Sequence, residues 1–389
     1  MKTLAIIGRQ PGIALAELES LLGAKVIHPL YGGGVLLDVD PDSVPFARLG
    51  GTIKIARLLT TVNTSDWFKL EKYLISTCIE MEKDLPEGKL TVGISVYGID
   101  VAPRILERTA LSIKKIIKAK GRPVRIVPNK AKEMSTAQII HNDLTGPNGW
   151  EFVFYRDGSV THVCITTAVQ DIEGYTARDQ ARPNRDTRVG MLPPKLAQTI
   201  INLTQPTPGS TVLDPFCGTG VILQEASIMD FDVYGTDIEQ RMVEYSAKNM
   251  EWLHKSRFTN NANVRIEPGD ATTHTWKQPI GVVACEGYLG LPFAHTPSDD
   301  QLQESIQSSN QIAKGFLKNL ANQTEKGFRA CVALPAWHVK GKVVHLPCVE
   351  QLAIIGWKRI EFKHAKREDL IYHRDEQIVG RELVVITRV

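Results

Sequence analysis

The sequence predicts an α/β protein in two unlike parts, and three observations predict it. Up to about residue 168, short strands and helices form two small units, the first in β, α, β order; from Lys195 onward strands and helices alternate regularly; between them lies a stretch rich in arginine and proline. Regular alternation implies a doubly wound, mostly parallel sheet, whereas the short order of the first part implies small α+β units. The expected boundaries are 1–65 and 66–168 for two N-terminal units, 169–194 for a linker and 195–389 for the parallel domain.

Bulk composition agrees with ordinary globular domains. The 389 residues are 43% hydrophobic and 23% charged, enough chain for two or three cores. A net charge of +3 neither demands nor excludes nucleic acid, because clustering rather than the total makes an electrostatic footprint. The six cysteines form no CxxC pair and the histidines show no metal spacing, so reduced thiols and no metal site are expected. The segment before Gly8 is too short for a signal-peptide core, and no apolar run approaches the ~20 residues that span a bilayer, so a cytoplasmic protein without membrane contact is expected.

The elements are read in order. TLAIIG is a strand, ALAELESLLGA a helix, and the turn at Gly32-Gly33-Gly34 leads into the strand VLLDVD. KLTVGISVYG is a strand, LERTALSIKKIIKAKG an amphipathic helix stopped by Gly121, and STAQIIHNDL a helix opened by Ser135 or Thr136. WEFVFYRDG and VTHVCITTAV form a hairpin around Asp157-Gly158. After the linker come helix KLAQTIINL, strand TVLDPF, helix VILQEASIM, strand VYGTDI, helix QRMVEYSAKNMEWL, and strands VRIEPG and VVACE. RACVALPAW, a helix around CVEQLAIIGW, RIEFKHAK and the strand ELVVITRV complete the chain.

Asp214-Pro-Phe-Cys-Gly-Thr-Gly220 falls where a strand turns into a helix, the place of a cofactor loop in a doubly wound sheet. Its glycines admit close backbone approach, but Leu223 stands where a dinucleotide fingerprint needs a third glycine. The remaining signal is acidic: Asp214 opens the loop, Asp237 ends the next strand, and Asp270 follows the third. S-adenosylmethionine carries a sulfonium, an ammonium and ribose hydroxyls but no phosphate, so acceptors suit it. Asp214 offsets positive charge, Asp237 accepts the ribose hydroxyls and Asp270 accepts from the adenine amine. Phe216, Cys217, Gly218, Gly220, Ile238 and Ala271 complete the expected cofactor site. The bland reading is an α/β domain with ordinary turn aspartates.

DPFCGTG, GTDIEQRMVEYSAKNM, GDA, GMLPPKLAQTIINL and the terminal YHRDEQIVGRELVVITR together resemble the THUMP-domain tRNA guanosine N2-methyltransferases of the position-10 type. The resemblance implies a Rossmann-like S-adenosylmethionine methyltransferase domain with a mostly parallel seven-stranded sheet, preceded by ferredoxin-like and THUMP modules. It implies tRNA as partner and leaves room for a small activating subunit. In that family the fourth strand ends in Asp or Asn, Pro, Pro, and Tyr or Phe. Here the stretch is Glu286-Gly287-Tyr288-Leu289-Gly290, without either proline. Glu286 and the Gly287 carbonyl are expected to accept the target amine N–H groups while Tyr288 or Phe293 stacks on the base, with acceleration from positioning. The plainer role for Glu286 is cofactor binding or capping of its strand.

Pro347-Cys348 resembles the Pro-Cys pair of cytosine methyltransferases, but it follows the fifth strand rather than ending the fourth, so Cys348 is expected in the core. Lys114, Lys115, Lys118, Lys120, Arg122, Arg125, Lys130 and Lys132 form a run without an acid, the expected RNA footprint; a solvated charged face is the alternative. Arg178, Arg182, Arg185 and Arg188 form a second set in the linker. The sequence therefore points to a methyltransferase acting on an exocyclic amine of tRNA, guanine N2 by resemblance. A non-catalytic RNA-binding or cofactor-sensing protein and a DNA amino-methyltransferase are the alternatives.

Overall fold

The computed structural model describes residues 1–389 except 187–190, 257, 259–261, 291, 294, 375 and 376. In chain order the first elements are β1 (Thr3–Ile7), α1 (Pro11–Leu22), β2 (Ile27–Pro29), β3 (Gly34–Leu37), β4 (Thr52–Val62), α2 (Trp67–Met81), β5 (Leu90–Tyr97), α3 (Pro103–Ala119), β6 (Val124–Ile126), α4 (Thr136–His141), β7 (Gly149–Asp157), β8 (Val160–Val169) and α5 (Ile172–Gln180). There follow α6 (Pro194–Leu203), β9 (Thr211–Asp214), α7 (Val221–Ile228), β10 (Asp232–Asp237), α8 (Gln240–Lys255), β11 (Val264–Pro268), β12 (Val282–Glu286), α9 (Asp299–Ala321), β13 (Arg329–Val339), β14 (Lys342–Val344), α10 (Leu352–Ile355), β15 (Trp357–Arg359), β16 (Ile371–Tyr372) and β17 (Val379–Arg388).

Contacts divide the chain into two compact units. The first holds Met1–Arg9, Lys25–Ala47 and Thr52–Ile172; the second holds Gln10–Ala24, Arg48–Gly51 and Glu173–Val389.

The first unit is built on one eight-stranded sheet in the order β2-β3-β1-β4-β8-β7-β5-β6. The expected division at residue 65 therefore runs through a continuous sheet: β4 from the first stretch pairs antiparallel with β8 from the second, Lys54 opposite Val169 and Val62 opposite Thr161. The linker expected over 169–194 contains α5, whose residues from Glu173 cluster with the second unit. The amphipathic helix α3 buries Leu106, Ala110, Ile113 and Ile117 at helical spacing against the sheet, which leaves Lys115 and Lys118 exposed. The Asp157-Gly158 hairpin and the Ser135 cap form as expected, Ser135 and Gln138 closing a capping box.

The second unit is doubly wound. Its sheet runs β11-β10-β9-β12-β13-β17-β15, with the first five strands parallel and β17 antiparallel to both neighbours; β14 and β16 add two short strands beyond the expected seven. A sheet covered on both faces needs apolar strands and two helical layers. One core combines Ile200 of α6, Ile222 of α7 and Leu253 of α8 with Val212, Val233 and Ala284 of the strands. The other combines Phe316, Leu317 and Leu320 of α9 with Val283, Val332 and Trp357. Helix α9 falls in a stretch for which the sequence analysis predicts no element, because its polar Gln307–Asn310 stretch dilutes its apolar stripe.

Two short segments join the second unit from early in the chain. The buried Glu17 carboxylate of α1 accepts from the Gly50 and Gly51 backbone N–H groups at 2.9 and 2.8 Å and from the Asn202 side chain of α6 at 2.8 Å. Glycine is required at residue 50: a Cβ there would lie 1.9 Å from the Lys195 carbonyl oxygen.

Candidate active site

The strand order reverses on either side of β9, with β10 on one flank and β12 on the other, and this switch point is where open α/β sheets bind ligands. Each of these strands ends in an acid: Asp214, Asp237 and Glu286. All three line one cavity of about 490 Å³ within the second unit, together with Phe216, Cys217, Gly218, Ile238 and Tyr288 from the expected set. Asp186, Leu192, Glu239, Met242 and Ile312 also line it and were not foreseen.

Asp214 is 2% exposed and accepts from the Phe216 N–H at 3.1 Å. Burial pushes its carboxyl well above the usual range against that hydrogen bond, and the charges of Asp237 and Glu286 push the same way. Asp237 receives the Gly218 N–H on one oxygen and the Glu239 N–H on the other, each at 2.9 Å. Those bonds hold its carboxylate in the cavity while lone pairs remain for a ligand, and burial raises its pKa as well. Gly220 adopts φ 81°, the left-handed region, and a Cβ there would meet the Ser246 hydroxyl at 2.4 Å, so helix α8 packs close under the loop only because the residue is glycine. Ile238 is 72% exposed at the cavity, an apolar surface free for a flat ring.

Glu286 is held from the far side of the sheet. The buried Arg381 of β17 donates its Nε–H to Glu286 Oε1. Burial raises the Glu286 pKa, and the Arg381 charge and hydrogen bond pull it back. The absent prolines also have a structural counterpart: the Gly287 N–H donates to the Ala333 carbonyl at 3.0 Å, prolonging the β12–β13 ladder by a bond that proline has no N–H to make. The EGYLG turn is thus stiffened by the sheet. Tyr288 is 37% exposed at the cavity, and Phe293 packs partly against the α9 core instead.

Other expected residues lie elsewhere. Asp270 and Ala271 are absent from the cavity lining: one Asp270 oxygen accepts from the Thr272 N–H at 2.8 Å and hydroxyl at 2.7 Å, capping its own turn, and Ala271 is core. The expected acceptor at Asp270 thus has one oxygen engaged in its own turn. Cys348 is buried, as expected for a core thiol, and burial pushes its pKa up to about 11, unfavourable for a nucleophile. Among the described residues no group of His, Cys, Asp and Glu side chains is arranged to hold a metal, and no helix is long and apolar enough to cross a membrane.

In the first unit, Lys115, Lys118, Arg125 and Lys130 are exposed and Lys114 is half-buried. Arg122 differs. It pairs with Glu82 at 2.8 Å and donates to the Pro86, Gly88 and Leu85 carbonyls at 2.8, 3.2 and 3.2 Å, so its guanidinium is a clamp on the loop before β5 rather than a free phosphate ligand. In the expected linker set, Arg178 is buried in a two-point pair with Glu225 at 2.7 and 3.2 Å, Arg182 is buried, Arg185 is exposed, and Arg188 lies outside the described residues.

Residues 182–341 match the RMKL-like methyltransferase domain family, UPF0020. The matched domain contains Asp214, Asp237 and Glu286, the three acids that end the cavity strands. The tRNA (guanine(10)-N2)-dimethyltransferase of Methanothermobacter thermautotrophicus is 45% identical over 159 residues, 40% of this chain and 43% of the relative. The enzyme of the same name from Pyrococcus abyssi is 41% identical over 81 residues, 21% of this chain and 22% of the relative. The matches thus span less than half the length of these curated relatives. Over the whole chain the fold is similar to TrmN from Thermus thermophilus, at TM-score 0.53 and 16% identity covering 100% of both chains. A possible methylase from Clostridium difficile 630 is similar at TM-score 0.51 and 12% identity over 98% of this chain and 97% of that one. The Rossmann-like methyltransferase fold is shared with both.

Proposed function

We propose that the chain is an S-adenosylmethionine-dependent tRNA methyltransferase that acts on an exocyclic amine, guanine N2. One observation carries the reading: Asp214, Asp237 and Glu286 meet with Tyr288 at a single cavity at the switch point of a methyltransferase sheet. The names of the curated relatives support the choice of tRNA and of the guanine amine.

The residues fit the methyl donor. Asp214 faces the charges of Asp237 and Glu286 at one cavity, which favours a ligand that brings positive charge, and a glycine loop without a third glycine does not call for a pyrophosphate. Asp237 would hold the ribose hydroxyls, Ile238 would lie against the adenine, and Asp214 would face the cationic end. When bound, the donor supplies an electrophilic methyl group. Glu286 Oε2 and the Gly287 carbonyl would then accept the two N–H bonds of the target amine, turning its lone pair out of conjugation toward the methyl carbon, with Tyr288 against the base. As nitrogen gains the methyl it sheds one proton, and Glu286 is the adjacent base. Arg381 opposes the burial that raises the Glu286 pKa and holds the carboxylate in place.

The ferredoxin-like and THUMP modules proposed at 1–65 and 66–168 would hold tRNA through Lys114, Lys115, Lys118, Arg125 and Lys130. The segment 195–389 would carry the chemistry, with Asp186 and Leu192 of the proposed 169–194 linker lining the donor site.

Transfer of labelled methyl to unmodified tRNA transcripts, with product nucleosides identified, tests the reading. The expected product is N2-methylguanosine, and Glu286→Gln should cut kcat by about 100-fold or more while S-adenosylhomocysteine affinity stays within a few-fold. Product on DNA alone, or none with an activating subunit supplied, would overturn it.

A further inference from the structure

We propose that Asn249 is a positioning residue for the methyl-donor cavity: it clamps the chain at Asn184 to the glycine loop and so fixes two cavity walls that come from distant parts of the sequence. The inference rests on the methyltransferase reading of this cavity. Asn249 lies in the middle of α8 and is 0% exposed. Its Oδ1 accepts the backbone N–H of Asn184 at 2.9 Å, while Nδ2 donates to the backbone carbonyls of Asn184 at 2.9 Å and of Thr219 at 2.8 Å. Both amide hydrogens and the amide oxygen are thereby used, which matches the full inventory of an asparagine side chain.

The two segments it joins both reach the cavity. Thr219 lines it from the glycine loop, and Asp186, two residues beyond the clamped backbone, lines it from the other side. Helix α8 holds this second wall twice, because Arg241, two turns before Asn249, pairs with the Asp186 carboxylate at 2.9 Å. The same helix packs against the loop where only glycine fits, at Gly220 beside Ser246. No other side-chain type reproduces the clamp. Aspartate would turn an oxygen toward two carbonyls, and leucine would remove the partner of three half-buried backbone groups.

The contact is to the backbone of residue 184, which sets a distinctive pattern of variants in the full-length protein. Binding of S-adenosylhomocysteine by calorimetry, binding of a tRNA transcript, and steady-state methyl transfer are measured for each. Asn249→Leu and Asn249→Asp should weaken S-adenosylhomocysteine at least ten-fold and raise the donor KM by a similar factor, with tRNA affinity within two-fold of the parent. Asn184→Ala should match the parent, whereas Asn184→Pro, which removes the N–H, should behave like Asn249→Asp. Donor affinity within two-fold of the parent in Asn249→Asp and Asn184→Pro, with only the melting temperature lowered, would reduce Asn249 to a structural role and overturn the proposal. So would an Asn184→Ala variant as impaired as Asn249→Asp. Failure of the parent protein itself to bind S-adenosylhomocysteine would remove the methyltransferase reading and this inference with it, an outcome distinct from any pattern among the variants.

Discussion

At the scale of single residues, the chemistry of the cavity sets ionisation against stability. Asp214 has a raised pKa in the folded protein because it is buried and faces Asp237 and Glu286. A carboxyl whose folded pKa exceeds its unfolded value contributes stability that is fully present below the unfolded pKa and is lost as pH rises through the folded one. Ionising Asp214 in the ligand-free protein therefore costs stability, and a cationic ligand offsets that cost. Asp214→Asn keeps an acceptor for the Phe216 N–H and removes the charge. It should raise the melting temperature of the ligand-free protein by roughly 2–4 °C, the response of a domain this size to about 1 kcal/mol, while weakening S-adenosylhomocysteine. A lower melting temperature in a calorimetric scan would count against the charge argument. The acids were legible in the sequence because each follows an apolar strand, where an aspartate or glutamate has few structural reasons to stand. Arg381 was not, since its partner is 95 residues away in sequence; the one clue was a charged pair inside the otherwise apolar GRELVVIT. Asp270 follows a strand in the same way, but one of its oxygens is engaged by Thr272 in its own turn, a contact local in sequence.

At the scale of elements, helix α3 shows how far periodicity carries. Its apolar spacing fixes which face is buried, and Lys115 and Lys118 follow as exposed. Arg122 and Arg125 sit beyond that helix, where no period constrains them, and the structure separates a clamp from an exposed group. Two different consequences are expected. Lys115→Ala with Lys118→Ala should weaken tRNA binding and flatten the dependence of log affinity on log salt by roughly 1–2 units, with folding unchanged. Arg122→Ala should instead lower the urea midpoint of the protein by an amount worth about 1–3 kcal/mol, because Glu82 and three carbonyls lose their donor. Equal loss of salt dependence in Arg122→Ala, at unchanged stability, would return that residue to the RNA footprint.

At the scale of the whole molecule, a buried network ties together strands that sequence analysis had assigned to separate modules. Lys54 of β4 donates to the fully buried Glu151 of β7 at 2.5 Å, and Ser95 of β5 and Thr166 of β8 donate to the same carboxylate, each at 2.5 Å. Removing one partner from a buried pair leaves the other charge uncompensated, so Lys54→Met should cost about 3–5 kcal/mol. Adding Glu151→Gln should recover part of that loss. Strict additivity of the two substitutions in urea unfolding would show that they do not interact. The sequence by itself determined the doubly wound domain, the strand ends that carry its acids and the helix faces, because each is encoded by neighbours a few residues apart. Tertiary structure alone decided that β4 and β8 pair in one continuous sheet, that Gly50 and α1 belong with the second unit, and that Arg381 pairs with Glu286. Those arrangements depend on pairings between residues dozens to hundreds of positions apart, for which local periodicity and turn chemistry carry no signal.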